Sequence, residues 1–188
     1  MLLPAAAQTQ TTPDQKPQTI QQRKENQQDR IANGVGSGQL TAGEAGNLER
    51  KESNLNKEEN LMRKDDNGKL TNADRKALNQ QQNQLSNQIY KDKHNAAAQN
   101  TDPKSEVGKR AENQQDRIAN GIKSGQLTAG EASHLENRDA AINREVRNDR
   151  AANGGKLTSQ ERAQLNRQQN HVSKQIYNDK HNNRRQAH

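Results

Sequence analysis

The sequence predicts an all-α protein of two tandem three-helix units, each built from duplicated helix-turn-helix repeats. Three observations predict it. The chain is internally duplicated: residues 25–95 return 87 positions later at 112–182, with 42 identities in 71 positions. Within each copy, apolar residues recur at gaps of seven and four, which return to one face of a helix and do not suit a strand. Thr followed three residues later by Glu or Asp stands ahead of each such stripe, which is the pattern of a capping box.

In the first unit the opening helix carries Ile20 and Ile31 on its inner face and ends near Ala32, where Asn33-Gly34 offers residues that accept the left-handed conformation of a helix end. The second helix runs from Ala42 to Lys64. It is capped by Thr41 and Glu44 and presents Leu48 and Leu55, with Glu59 interrupting the stripe and Met62 resuming it. After Asn67-Gly68, Thr71 and Asp74 cap a third helix, Asn72 to His94, that presents Leu78, Leu85 and Ile89.

The second unit repeats this order. Val107 and Ile118 line a helix ending near Ala119 before Asn120-Gly121. Thr128 and Glu131 then open Ala129 to Arg150, with Leu135, Ile142 and Val146. After Asn153-Gly154, Thr158 and Glu161 open Ser159 to His181, with Leu165, Val172 and Ile176. Leu40, Leu70, Leu127 and Leu157 precede the four threonines and suit hydrophobic staples. The expected segments are an N-terminal stretch 1–16, a first repeat 17–95, a linker 96–102, a second repeat 103–182 opening at Asp102-Pro103, and a basic tail 183–188.

The apolar stripes are thin. Hydrophobic residues make up 26% of the 188, the mean hydropathy is −1.48, and Phe, Trp and Cys are absent. A core this small implies mutual support of the two copies or self-association. The absence of cysteine excludes disulfides and thiolate chemistry. The net charge is +7, and it is uneven: residues 22–95 carry 13 basic and 11 acidic groups, residues 109–188 carry 15 and 9. That surplus favours anionic partners through the second repeat, an anionic polysaccharide or a nucleic acid. Against nucleic acid, the chain offers no aromatic platform for bases and no recognisable reading motif. The opening MLLPAAAQTQ reads as the remnant of a signal peptide with cleavage before Gln8, and no segment is long enough to span a bilayer.

The stretch SGQLTAGE has the rhythm of an EF-hand loop, which needs six to eight oxygens on alternate residues. In the first loop Val35 falls on a ligand position, in the third Ile122 does, and in the fourth Arg150 and Ala152 do. The second loop offers Asp65, Asn67, Thr71 and Asp74, but Arg63 holds its leading slot. Helix capping explains the Gly, Leu, Thr and acid in all four without a metal. No cofactor is therefore expected, and weak calcium binding at the second loop is the alternative. Tyr90 and His94 recur as Tyr177 and His181, four apart on a face turned away from the apolar stripe; with Arg184 and Arg185 they are the partner-contact candidates. The acids read as lying on polar faces without an apolar pocket to shift them, and no nucleophile elbow, phosphate loop or metalloprotease motif is present. No enzymatic activity is expected.

The pattern DRIANG…SGQLTAGEA…LE with the closing NQQQNQLSNQIYKDKHN resembles a group of uncharacterised bacterial exported helical-repeat proteins with degenerate EF-hand-like units, over most of the chain from about Gln22. The resemblance implies a small helical protein of the periplasm or the medium. It carries no catalytic residue and no ligand. The expected role is binding or scaffolding, by self-association or on an anionic polymer.

Overall fold

The computed structural model describes residues 18–101 and 103–186. The N-terminal signal-peptide reading, Asp102 and the last two residues of the tail lie outside them. Among the described residues the regular structure is entirely helical: α1 (Ile20–Gly36), α2 (Ala42–Asp65), α3 (Asn72–Lys93), α4 (Glu106–Lys123), α5 (Ala129–Ala152) and α6 (Ser159–His181).

The four expected caps form. Thr41, Thr71, Thr128 and Thr158 each accept the backbone N–H three residues on, and Glu44, Asp74, Glu131 and Glu161 each accept the N–H of their threonine. These reciprocal bonds satisfy orphan donors at the helix start and set an acid against the positive end of the dipole. Thr19 and Gln22 make a fifth box at the start of α1. The turn from α2 to α3 passes through Asn67 and Gly68 at positive φ, and the turn from α5 to α6 through Gly154 and Gly155.

Two sequence-based boundaries are corrected. The first helix of each copy does not stop near Ala32 or Ala119 but continues to Gly36 and Lys123, with the left-handed residue at Gly38 and Gly125. Gly34 and Gly121 lie inside these helices, and the lack of a side chain there makes room for a leucine: a Cβ would stand 2.7 Å from the Leu40 side chain and 2.6 Å from that of Leu127. The second correction is at α4, which begins at Glu106 behind a Ser105 cap rather than at Pro103.

Two apolar clusters form the core. Ile31, Val35, Leu40, Leu48, Leu55, Leu78, Leu85 and Ile89 make the first, and their counterparts Ile118, Ile122, Leu127, Leu135, Ile142, Leu165, Val172 and Ile176 the second. Each cluster also takes one alanine from the other copy: Ala119 joins the first and Ala32 the second. The copies are therefore packed on each other, α1 against α4 and α2 against α5. On α2, Gly43, Gly46 and Ser53 approach Ala140, Asn137 and Gly130 of α5 in that order, so the two helices run antiparallel. Ser133 Oγ donates to the Gly46 carbonyl oxygen at 2.8 Å, and small side chains let the backbones close up.

Buried glutamines extend the thin core. Gln27 Nε2 donates to the Gln82 carbonyl at 2.7 Å and Gln82 Nε2 to that of Ile20 at 2.9 Å; Gln114, Gln169 and Val107 repeat the arrangement at 2.7 and 2.8 Å. Side-chain amides thus tie α1 to α3 and α4 to α6 where an apolar core would use leucine.

Candidate functional sites: an outer basic face and a buried carboxylate cluster

The outer face of α6 is built by helical spacing alone. Arg167, His171, Lys174, Asn178 and His181 follow one another at steps of four and three, so they share a stripe, and all are exposed. The equivalent stripe of α3 is Gln80, Gln84, Asn87, Lys91 and His94, also exposed. Beyond the helix, Arg184 and Arg185 stand where the first copy has Ala97 and Ala98. From residue 75 to 98 the first copy carries Arg75, Lys76, Lys91 and Lys93. From 162 to 185 the second carries Arg162, Arg167, Lys174, Lys180, Arg184 and Arg185, and each span holds one acid, Asp92 or Asp179. The copies keep the same inner positions and differ in charge on this outer face.

The partner-contact candidates flank the stripe. Tyr90 stacks on His94 with ring centroids 4.2 Å apart, and Tyr177 on His181 at 4.1 Å. In each pair the histidine Nδ1 lies 2.7 Å from the tyrosine carbonyl oxygen, so Nδ1 carries the proton and Nε2 is left toward solvent. Both tyrosines are more than half exposed. Arg184 comes within 3.8 Å of Glu131, and Arg185 donates to the carbonyls of Asn182 and Arg184.

In the EF-hand-like turns the acids serve the helix starts. Glu44 Oε2 accepts from Thr41 N–H and Oγ1, and its Oε1 accepts from Asn95 Nδ2 at 2.6 Å. In the second loop Asp74 Oδ2 accepts from Thr71 N–H at 2.8 Å and from Thr71 Oγ1 at 2.6 Å, and these bonds hold its carboxyl below the usual range. Arg63 turns to Glu59 and to the Gly68 carbonyl. Among the described residues, no three His, Cys, Asp or Glu side chains are grouped to hold a metal ion.

The acids are not all on polar faces, contrary to the reading of the sequence. Glu49 and Glu52 of α2 and Glu136 and Asp139 of α5 lie buried between those helices, each no more than 2% exposed. Packing one copy on the other turns what would be each copy's outward face into interior. Gln28 Nε2 donates to Glu49 at 3.1 Å, and Gln115 Nε2 donates to Glu136 and to Asp139, both at 2.9 Å. Glu49 and Glu136 are equivalent residues of the two copies, as are Gln28 and Gln115, and Glu52 and Asp139. Burial, with the neighbouring Glu52 adding to it and Gln28 opposing it, pushes the Glu49 carboxyl up to about 8. Burial likewise lifts Glu52 and Asp139 to about 7, and burial with Asp139 and Glu49 alongside raises Glu136 well above the carboxylate range. Glu59 contrasts with them. Burial opposes its ionisation, but hydrogen bonds from Arg63 and Lys24 outweigh that and hold it below the usual value. The duplication held the signal for this cluster, since Gln and acid are kept at matching buried positions of both copies.

No helix among the described residues is long and apolar enough to cross a membrane. Compared with protein-family models, curated proteins and solved structures, the chain matches none.

Proposed function

We propose that the chain is two tandem three-helix units acting as a non-enzymatic scaffold of the periplasm or the medium, related to the exported helical-repeat proteins it resembles, and that it binds an anionic polysaccharide along the outer face of α6. The observation that supports this is the divergence of the two copies. Side chains with the same structural duties are retained, while the exposed stripe of α6 and the segment after it gain Arg167, Lys174, Arg184 and Arg185 in place of Gln80, Asn87, Ala97 and Ala98. A folding constraint acting on both copies alike does not account for the larger number of cations in and after the stripe of α6, which outweighs the single Lys91 of the α3 stripe that becomes Asn178. Tyr177 stacked on His181 lies at the end of the stripe, as Tyr90 on His94 does in the first copy, so the cations and not the rings distinguish the α6 face. A polymer laid along the helix would meet positive charge over several turns, and each cation it neutralises would release counterions. The non-enzymatic reading is supported by where the perturbed carboxyls lie: they are closed between α2 and α5, out of reach of a substrate. Self-association through α2 is not needed, because α5 of the same chain occupies that face.

The test replaces second-copy residues by their first-copy equivalents, which the same fold already accommodates: Arg167→Gln, Lys174→Asn, Arg184→Ala and Arg185→Ala together. Binding to dextran sulfate is measured by calorimetry over a range of salt. The wild type should weaken steeply as salt rises, and the variant should lose most of its affinity and show a shallower salt dependence at an unchanged circular dichroism melt. Equal binding by both would overturn the proposal. A preference for single-stranded DNA over the polysaccharide at matched charge would replace the partner.

A further inference from the structure

The carboxyl cluster between α2 and α5 has no part in the α6 face or in the helix caps. It is also poorly provided with donors. Glu52 is fully buried and neither of its oxygens has a protein hydrogen-bond partner; Glu49 Oε1, Glu136 Oε1, Gln28 Oε1 and Gln115 Oε1 are in the same position. With the carboxyls ionised, every one of these atoms is an acceptor. A proton on a carboxyl converts one acceptor into a donor, so protonation supplies donors that the ionised cluster lacks and removes the buried charge.

The surroundings do not supply the missing charge. From α1, Lys24 is the cation that reaches the cluster, and it is already bonded to Glu59 at 3.0 Å. From α4 the group in contact is the neutral Gln115, and Ala111 stands at the position equivalent to Lys24. On α2 itself, Glu59 adds negative charge toward Glu52; on α5, Glu136 faces both Asp139 and Glu49. The carboxylates turned toward α3 and α6 are Glu58 and Glu145, which accept from Gln81, Gln164 and Gln168 outside the joint.

We propose that the α2–α5 joint is a proton-operated latch, closed while its carboxyls hold protons and opened when they ionise, which swings α2 and α5 apart about the retained α1–α4 contact and exposes their facing sides. The direction follows from linkage. A carboxyl whose folded value is raised binds more protons in the folded state than in the unfolded, so its contribution is present in mild acid and is lost as pH rises. The window opens above the ordinary carboxyl values of 3.8 and 4.5 and closes at the folded ones, about 7 for Glu52 and Asp139 and about 8 for Glu49.

The experiment uses the full chain, whose lack of cysteine makes labelling clean. Gln84→Cys on α3 and Asn178→Cys on α6, both exposed positions, carry spin labels, and the distance between them is read by pulsed electron resonance at pH 5.5 and pH 9. The expected result is one narrow distance in acid, and a longer, broader distribution at pH 9 with helical content retained. Glu49→Gln, Glu52→Gln, Glu136→Gln and Asp139→Asn together mimic the protonated state and should keep the narrow distance at both pH values. An unchanged wild-type distance, or a variant that opens as the wild type does, would overturn the latch. Should the fourfold variant not fold, the wild-type melt decides. A Tm about 10 °C or more lower at pH 9 than at pH 5.5, with the fall running up from pH 5.5 and levelling off above about pH 8, supports the proposal. A flat or rising Tm, or a fall confined above pH 9, overturns it.

Discussion

Glu59 interrupts an apolar stripe, and at the scale of the residue it shows two solutions to one position. In the first copy Glu59 is buried and accepts from Lys24 at 3.0 Å and Arg63 at 2.7 Å. In the second copy the same pair of positions holds Val146 and Ala111. A buried ion pair repays its desolvation only with good geometry, and breaking one side of it strands a charge. Glu59→Val alone should therefore destabilise by about 3 kcal/mol, because Lys24 is left buried without its bonded partner. Lys24→Ala with Glu59→Val should recover to within about 1 kcal/mol of the wild type, since the second copy already uses that solution. Urea unfolding of both single variants and the double closes the cycle. The sequence marks Glu59 as an exception on its own helix. It does not mark the partner, because Lys24 lies on another helix and only packing brings the two together.

At the scale of the element, capping was legible and close approach was not. Thr-x-x-Glu specifies a local reciprocal bond, so the starts of α2, α3, α5 and α6 could be placed from the sequence. Asn-Gly admits two explanations, a left-handed residue or a helical glycine with a neighbour lying on it, and the deciding side chain is not part of the dipeptide. At α1 and α4 the second holds, with Leu40 and Leu127 seated on Gly34 and Gly121. The two explanations make opposite predictions for Gly34→Ala. Helix propensity alone would make the change stabilising by up to about 1 kcal/mol. The added Cβ, 2.7 Å from Leu40, should instead destabilise by about 1–3 kcal/mol. Thermal melts of Gly34→Ala and of exposed Gly68→Ala separate space from backbone: the first fails by crowding, the second only through its positive φ.

For the whole molecule, the duplication gave the helix order, but a chain compared with itself says nothing of how the copies meet. The thin stripes implied that each copy needs support, and α1 on α4 with α2 on α5 supplies it. That packing is also why the buried acids escaped a helix-by-helix reading: Glu49 and Glu136 look solvent-facing on their own helices and become interior only when the helices are paired. The basic face of α6 was legible as a charge surplus in the second half, and became a stripe once the helix spacing and exposure were fixed.

One feature outside the helices governs how far these parts can separate. Gln99 N–H donates to the Gly38 carbonyl at 2.8 Å, as Gln186 N–H does to that of Gly125 at 3.0 Å. The chain leaving α3 is thus stitched to the turn before α2, and only five residues remain between that stitch and the Ser105 cap of α4. Such a span reaches at most about 20 Å. The halves are held on a short leash, and the encounter that recloses them is intramolecular, at a high effective concentration. Separation of α2 from α5 should then follow the same pH course at micromolar and at millimolar protein, with no partner exchange between chains when differently labelled samples are mixed.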